Sequence, residues 1–327
     1  MRWVLLFLVI ASLVSAQPAN ATAFVGVVQN FGPDLGAQCN LPEGIAADPR
    51  GRIYASSLNF NATSGPANIC VLDRDGIIVD LIAVDPATPS GVARLLGMLF
   101  VQNEGLYVTD IGGGRVIRVD VATHAVTPIA SGFQAPNAIA RDRLGNLWVS
   151  DSFPGTITKI APGGATTTYS YPTELAPGAG EVPGFGANGV AFDRNEHFLY
   201  VAETSRDQIY RIAYDNGSLG AIELFAQGTA GGALDGADGI AFDVTGNLYV
   251  CSNQSDEIAV LDPAGEVVAE YRGTGADAFS SPASLVFRGR TVYVADLALF
   301  HGGAGQKLSV FTAPHAGAPL VRGPRGE

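Results

Sequence analysis

The stretch Asp238-Gly-Ile-Ala-Phe-Asp243, followed after a tight turn by Asn247-Leu-Tyr-Val-Cys251, decides the fold because the chain repeats it. Two short apolar runs joined by Asp-x-x-Gly read as a β-hairpin, with Gly supplying the positive φ that the turn requires. The phrase recurs as Glu43-Gly-Ile-Ala-Ala-Asp48 with Arg52-Ile-Tyr-Ala-Ser56, and as Asn137-Ala-Ile-Ala-Arg-Asp142 with Asn146-Leu-Trp-Val-Ser-Asp151. It returns as Asn188-Gly-Val-Ala-Phe-Asp193 with Phe198-Leu-Tyr-Val-Ala-Glu203. Two weaker copies are Leu96-Gly-Met-Leu-Phe100 with Gly105-Leu-Tyr-Val-Thr-Asp110, and Ala283-Ser-Leu-Val-Phe287 with Thr291-Val-Tyr-Val-Ala-Asp296.

The copies start at 43, 96, 137, 188, 238 and 283, which are steps of 53, 41, 51, 50 and 45 residues. Each is followed by further strand-like runs, such as Ile69-Cys-Val-Leu-Asp73 and then Ile77 to Val84. Four short strands per repeat is the pattern of a propeller blade, so the fold class is all-β, a six-bladed β-propeller. The last copy has three strands, at 284–287, 291–296 and 307–312, and the run Ala23 to Asn30 is expected to supply the fourth and close the ring.

Composition agrees. Gly (41) and Pro (19) suit many turns and few long helices, and 47% apolar with only 15% charged residues suits sheets buried on both faces. A net charge of -12 argues against a nucleic-acid surface and permits cation binding. The apolar run Val4 to Val14 before Ser15-Ala16 reads as a signal peptide over 1–16, too short to span a bilayer. The expected organisation is signal peptide 1–16, propeller 23–313 and a disordered Gly/Pro/Ala-rich tail 314–327. The chain is then secreted or periplasmic, with no membrane contact after cleavage, and a monomer. An oxidising compartment permits a Cys39–Cys70 disulfide, with buried free thiols as the alternative and Cys251 left over.

The short connections, such as Asp48-Pro-Arg-Gly51 and Asp73-Arg-Asp-Gly76, fall on one face. The long ones, 57–67, 171–187, 227–237 and 297–306, fall on the other, which marks it as the working face. There, the residues leading each inner strand are Glu43, Leu96, Asn137, Asn188, Asp238 and Ala283. Four of the six are oxygen donors around a tunnel. Two facing carboxylates repel unless a hard divalent cation sits between them, and the all-oxygen set favours Ca²⁺ over zinc. Ordinary turn use of Asn and Asp is the plainer alternative.

The ordered set Glu43, Asn137, Asn188 and Asp238, in the phrases Leu-Pro-Glu43-Gly, Ala-Pro-Asn137-Ala, Ala-Asn188-Gly-Val and Ala-Asp238-Gly-Ile-Ala-Phe-Asp, resembles the gluconolactonase/regucalcin family of six-bladed propellers. More distantly it resembles diisopropyl-fluorophosphatase and paraoxonase. The resemblance spans about residues 24–313. It implies an enzyme, a metal-dependent lactonase or esterase (hydrolase), acting on a small-molecule lactone or ester. Glu43, Asn137, Asn188 and Asp238 would hold the metal, and Asp238 would act as base or nucleophile. The family's substrate-binding Arg and Glu find no match at corresponding positions.

A second polar set ends each second strand: Ser57, Asp110, Asp151, Glu203, Ser252 and Asp296. Capping of the following loop is the favoured reading. Glu203 and Asp296, with His301 in the loop 297–306, are held as candidate substrate contacts. Sequons occur at Asn20, Asn61, Asn216 and Asn253, and Asn61 and Asn253 are expected in surface loops. The competing readings are a non-catalytic binding propeller of the NHL type and a metal-independent enzyme like strictosidine synthase.

Overall fold

The computed structural model describes residues 27–36, 38–178, 184–303 and 305–319. Six four-stranded antiparallel sheets form the blades. Their inner strands are Pro42–Ala47, Leu95–Val101, Pro136–Arg141, Ala187–Phe192, Ala237–Phe242 and Pro282–Arg288, for blades 1 to 6 in that order. Each inner strand packs on the next, and the sixth packs on the first, so the ring closes around an axis. Closure is sealed as the sequence predicts: Gln29–Asn30 pairs antiparallel with Lys307–Thr312 of blade 6. The start of that run at Ala23, and the signal peptide expected over 1–16, lie outside the described residues.

Packing explains the composition. Six of the seven hydrophobic clusters lie each between one blade and the next. Second strands, such as Leu147–Asp151 and Leu248–Ser252, are buried at every position because both their faces meet a neighbouring blade. Outer strands such as Thr166–Ser170 are mostly exposed and carry the polar residues. The recurring Asp of the repeat closes the turn on the lower face, opposite the long loops. Asp142 accepts hydrogen bonds from Asn146 N (2.8 Å), Trp148 Nε1 (2.9 Å) and the Tyr214 hydroxyl (2.9 Å), tying the turn to the core.

Cys39 and Cys70 form a disulfide that ties the segment after the closing strand to blade 1, and Cys251 is a buried free thiol. The tail departs from expectation. Over 314–319 it is placed against the lower face rather than disordered. Val244 N donates to Ala316 O (2.8 Å), Gly317 N to Gly289 O (2.9 Å) and Ala318 N to Phe242 O (2.9 Å). Backbone pairing with two turns offsets the entropy that its Gly and Ala content would otherwise favour. Residues 320–327 lie outside the described residues. Among the described residues no helix is long and apolar enough to cross a membrane.

Candidate metal centre and active site

Each leading residue is the second residue of its inner strand, and each sits in a β-bulge. In blade 1 the pairing passes from Pro42↔Ser57 to Ile45↔Ala55, so three steps on the inner strand face two on its partner. The same slip occurs in the other five blades. A bulge leaves one residue out of the ladder and re-aims its side chain, here toward the axis. The Gly that follows has a steric reason. A Cβ on Gly44 would stand 2.1 Å from Leu96 O, and one on Gly189 would stand 2.3 Å from Asp238 O. Gly97 and Gly239 are placed the same way against Asn137 O and Ala283 O, so in these four blades the rim carbonyl of the next blade packs against the Gly. Side-chain hydroxyls fix those carbonyls further: Ser56 Oγ donates to Leu96 O (2.8 Å), Thr109 Oγ1 to Asn137 O (2.5 Å) and Ser150 Oγ to Asn188 O (2.6 Å).

The four oxygen-donor residues therefore stand at one level of one ring. All are buried: Glu43 is 5%, Asn137 3%, Asn188 5% and Asp238 4% exposed. Three of them are oriented by the residue just past the second strand of the same blade. Asn137 Nδ2 donates to Ser152 Oγ (3.1 Å), Asn188 Nδ2 to Thr204 Oγ1 (2.9 Å), and Asp238 Oδ2 accepts from Asn253 Nδ2 (2.8 Å). With the amide nitrogens engaged by the wall, the amide oxygens are left for a cation. Three buried oxygens have no hydrogen-bond partner: Glu43 Oε2, Asp238 Oδ1 and Asn253 Oδ1. Orphaned buried acceptors are costly, and a cluster of them is what an oxygen-loving cation would satisfy.

Electrostatics point the same way. Burial first, and then the Asp238 charge, push Glu43 well above the ordinary carboxylate range. Burial raises Asp238 as well, against the Asn253 and Asn188 amides and the Gly239 N–H, which favour its charge. Among the described residues no three His, Cys, Asp or Glu gather in a metal-binding group. Two carboxylates with two amides are a hard-oxygen set, which suits Ca²⁺ and not zinc.

The second polar set has a different job. Asp110 accepts from Arg94 N (3.1 Å) and Arg115 Nε (2.7 Å), and Asp151 from Gln134 N (2.9 Å) and Ala135 N (2.6 Å). Glu203 is fully buried and accepts from Ser205 Oγ (2.5 Å) and Arg206 N (2.8 Å). Asp296 accepts from Ser280 N (3.0 Å) and from Ser309 Oγ, and burial pushes it up to about 7. The loop-capping reading fits all of these. The carboxylates of Glu203 and Asp296, held as candidate substrate contacts, are engaged in holding these loops. His301 does stand on the working face, 44% exposed in its side chain, with Nε2 3.0 Å from Asp256 Oδ2.

Asn253 is the main residue that sequence reasoning misplaced. It reads as a surface sequon but is 5% exposed and holds Asp238. Extending the repeat alignment one residue past the second strand, to Ser152, Thr204 and Asn253, would have found it. Two cavities of about 970 and 520 Å³ open on the lower face, and no rim residue lines either. The smaller is the apolar lower mouth of the tunnel, with residues such as Met98, Phe100 and Phe242, and the larger is lined by charged residues such as Glu104, Arg118 and Arg141, away from the rim.

Fold and rim define a six-bladed β-propeller with an oxygen-donor site at the upper end of its axis. The chain belongs to the SMP-30/gluconolactonase/LRE-like family, whose sequence profile matches residues 93–295. Among solved structures it is similar to a calcium-binding regucalcin from Agrobacterium tumefaciens strain C58, at 16% identity and TM-score 0.66, covering 93% of this chain and 100% of that one. A gluconolactonase from Xanthomonas campestris matches at 17% identity and TM-score 0.62, covering 89% and 96%. Virginiamycin B lyase from Staphylococcus aureus matches at 16% identity and TM-score 0.59, covering 87% and 98%. At these identities the structural likenesses show the shared propeller. No curated protein sequence matches the chain significantly.

Proposed function

We propose that the protein is an exported, divalent-metal-dependent hydrolase of lactones or related esters. The observation that carries this reading is the pair of buried carboxylates, each with an oxygen lacking any partner, set among amides on the ring of a gluconolactonase-family propeller. Glu43, Asn137, Asn188 and Asp238 would hold the metal, and Ca²⁺ fits the donor set. When bound, the ion would supply Lewis-acid stabilisation of the oxyanion that forms at the substrate carbonyl. The chain's own residues do the rest. Asn253 fixes Asp238 through Oδ2, so Oδ1 is the oxygen turned to the site, where it would hold the ion and, with its remaining lone pair, take a proton from the attacking water or attack directly. Burial of the rim excludes bulk water and keeps that carboxylate basic. Ser152 and Thr204 hold the Asn137 and Asn188 amides in position. The leader over 1–16 and the Cys39–Cys70 bridge support export to an oxidising compartment.

A ring-opening elimination is the second reading, favoured by the likeness to a lyase and by the exposed His301–Asp256 pair on the working face. One experiment separates the readings: a panel of lactones, aryl esters and phosphotriesters, with EDTA and then with added Ca²⁺, run in ¹⁸O-water. Calcium-dependent turnover with ¹⁸O in the product acid is expected. Turnover without ¹⁸O would mean elimination, turnover untouched by EDTA would remove the metal, and no turnover with retained ligand binding would leave a binding propeller.

A further inference from the structure

The upper mouth of the tunnel is divided. The residues just past the six second strands are Leu58, Ile111, Ser152, Thr204, Asn253 and Leu297 in blades 1 to 6. In blades 3 to 5 they are polar, and each bonds its rim partner. In blades 6, 1 and 2 they are aliphatic. Leu58, Leu297 and the partly buried Ile111 join Leu41, Leu96, Ala283 and Leu299 in a seventh hydrophobic cluster, apart from the six blade interfaces. Glu43 is the one polar rim residue on that side.

The loops above continue the division. The loop from Ser57 to Ala67 carries Phe60, 56% exposed, and the loop from Asp296 to Lys307 carries Phe300, 44% exposed. The second loop is held at the mouth, because Gln306 Oε1 accepts from Leu41 N (2.6 Å) and His301 Nε2 lies 3.0 Å from Asp256 Oδ2. Phe300 directly follows Leu299, a member of that cluster, so this loop carries the apolar side of the mouth outward to solvent. None of the twelve rim and wall residues is basic, and the two carboxylates among them would balance a bound divalent ion, so no side chain there is left to pair an anionic substrate. A polyhydroxylated ring would strip water from its hydroxyls against leucines that return no hydrogen bond.

We infer that this site takes uncharged lactones or esters bearing an apolar chain or ring, with the reacting carbonyl toward blades 3 to 5 and the apolar part against blades 6, 1 and 2. The inference rests on the hydrolase reading above. Leu299 and Phe300, on the loop at the apolar side, are its specificity-determining residues.

The test uses the calcium-loaded full chain. Turnover is measured on γ-lactones with alkyl chains of zero to eight carbons and on a polyhydroxylated δ-lactone. Equilibrium binding of the matching unreactive γ-lactams is measured by calorimetry. The expected kcat/KM rises by about fourfold for each methylene buried, then levels off, and the hydroxylated lactone is the poorest substrate. Lactam affinity follows the same slope. Phe300→Ser with Leu299→Asn flattens both slopes, and Phe300→Leu with Leu299 intact restores most of them. Turnover with no chain-length dependence, or with the hydroxylated lactone preferred, overturns the inference while leaving the hydrolase. No turnover but a steep lactam slope overturns the hydrolase and keeps the apolar subsite. A flat lactam slope with no turnover overturns both.

Discussion

Glu43→Gln is expected to make the metal-free protein more stable, although it alters a buried polar residue. Glu43 and Asp238 are both buried, each has an oxygen without a partner, and their charges repel. An uncompensated buried charge costs about 3–5 kcal/mol. Asn253 already offsets part of the burden at Asp238, so a gain of about 3 kcal/mol is the reasonable figure, or roughly 4 °C in Tm for a chain of this size. The pH dependence fixes the cause. Both carboxyls have pKa values raised above those of the unfolded chain. Their contribution to stability is therefore full at low pH and is lost as pH rises through the folded values. At pH 4.5 Glu43 keeps its proton and behaves like Gln, so variant and parent should melt together. By pH 8 in EDTA the variant should melt higher. Ca²⁺ at 1,000 times its Kd should reverse the order, since it stabilises the parent by about 4.1 kcal/mol and the variant has lost a ligand. The assay is thermal unfolding from pH 4.5 to 8, with EDTA or Ca²⁺. A variant less stable than the parent in EDTA at pH 8, or a gap of equal size at both pH values, would refute the reasoning.

Three further outcomes are expected. Gly189→Ala places a Cβ 2.3 Å from Asp238 O, so the rim must shift by roughly 1 Å; urea unfolding should show a loss of about 1–3 kcal/mol, and calcium affinity should fall with it. Asn253→Leu removes the donor on Asp238 Oδ2 and should cost about 1–3 kcal/mol in EDTA at pH 8, with a smaller cost at pH 4.5 where the carboxyl is protonated. Replacing Cys39 and Cys70 together by Ser opens a link spanning 31 residues, worth about 3–4 kcal/mol of chain entropy, and a loss under 1 kcal/mol by urea unfolding would count against it.

The ring was legible in the sequence because its determinants are local and repeated. The Asp that closes the lower turn, the apolar second strand and the small residue after each rim residue (Gly at 44, 97, 189 and 239, Ala138 and Ser284 elsewhere) recur in the same order, and the weaker copies at 96 and 283 blur them most. Closure by the N-terminal run was legible because the last blade lacked a strand. The bulges were not, since a bulge is a relation between two strands, and each inner strand reads alone as unbroken alternation. This is why the rim residues, expected just before the inner strands, belong to them. Asn253 was hidden for a related reason: its partner Asp238 is distant in the repeat and near only across the blade. The tail was misjudged from composition, because its order comes from backbone bonds to turns at Val244 and Gly289, which side-chain chemistry does not reveal. Glu203 and Asp296 look the same in sequence as rim acids, and only the loop amides and hydroxyls they meet set them apart.

The proposed chemistry requires a divalent ion at the rim. Calorimetric titration of Ca²⁺ into the EDTA-stripped chain tests this directly, in parallel with Asp238→Asn and Glu43→Gln. One ion per chain, with the binding heat lost or greatly weakened in both variants, is the predicted result. Absence of binding to the parent, or binding that both variants retain unchanged, would contradict it.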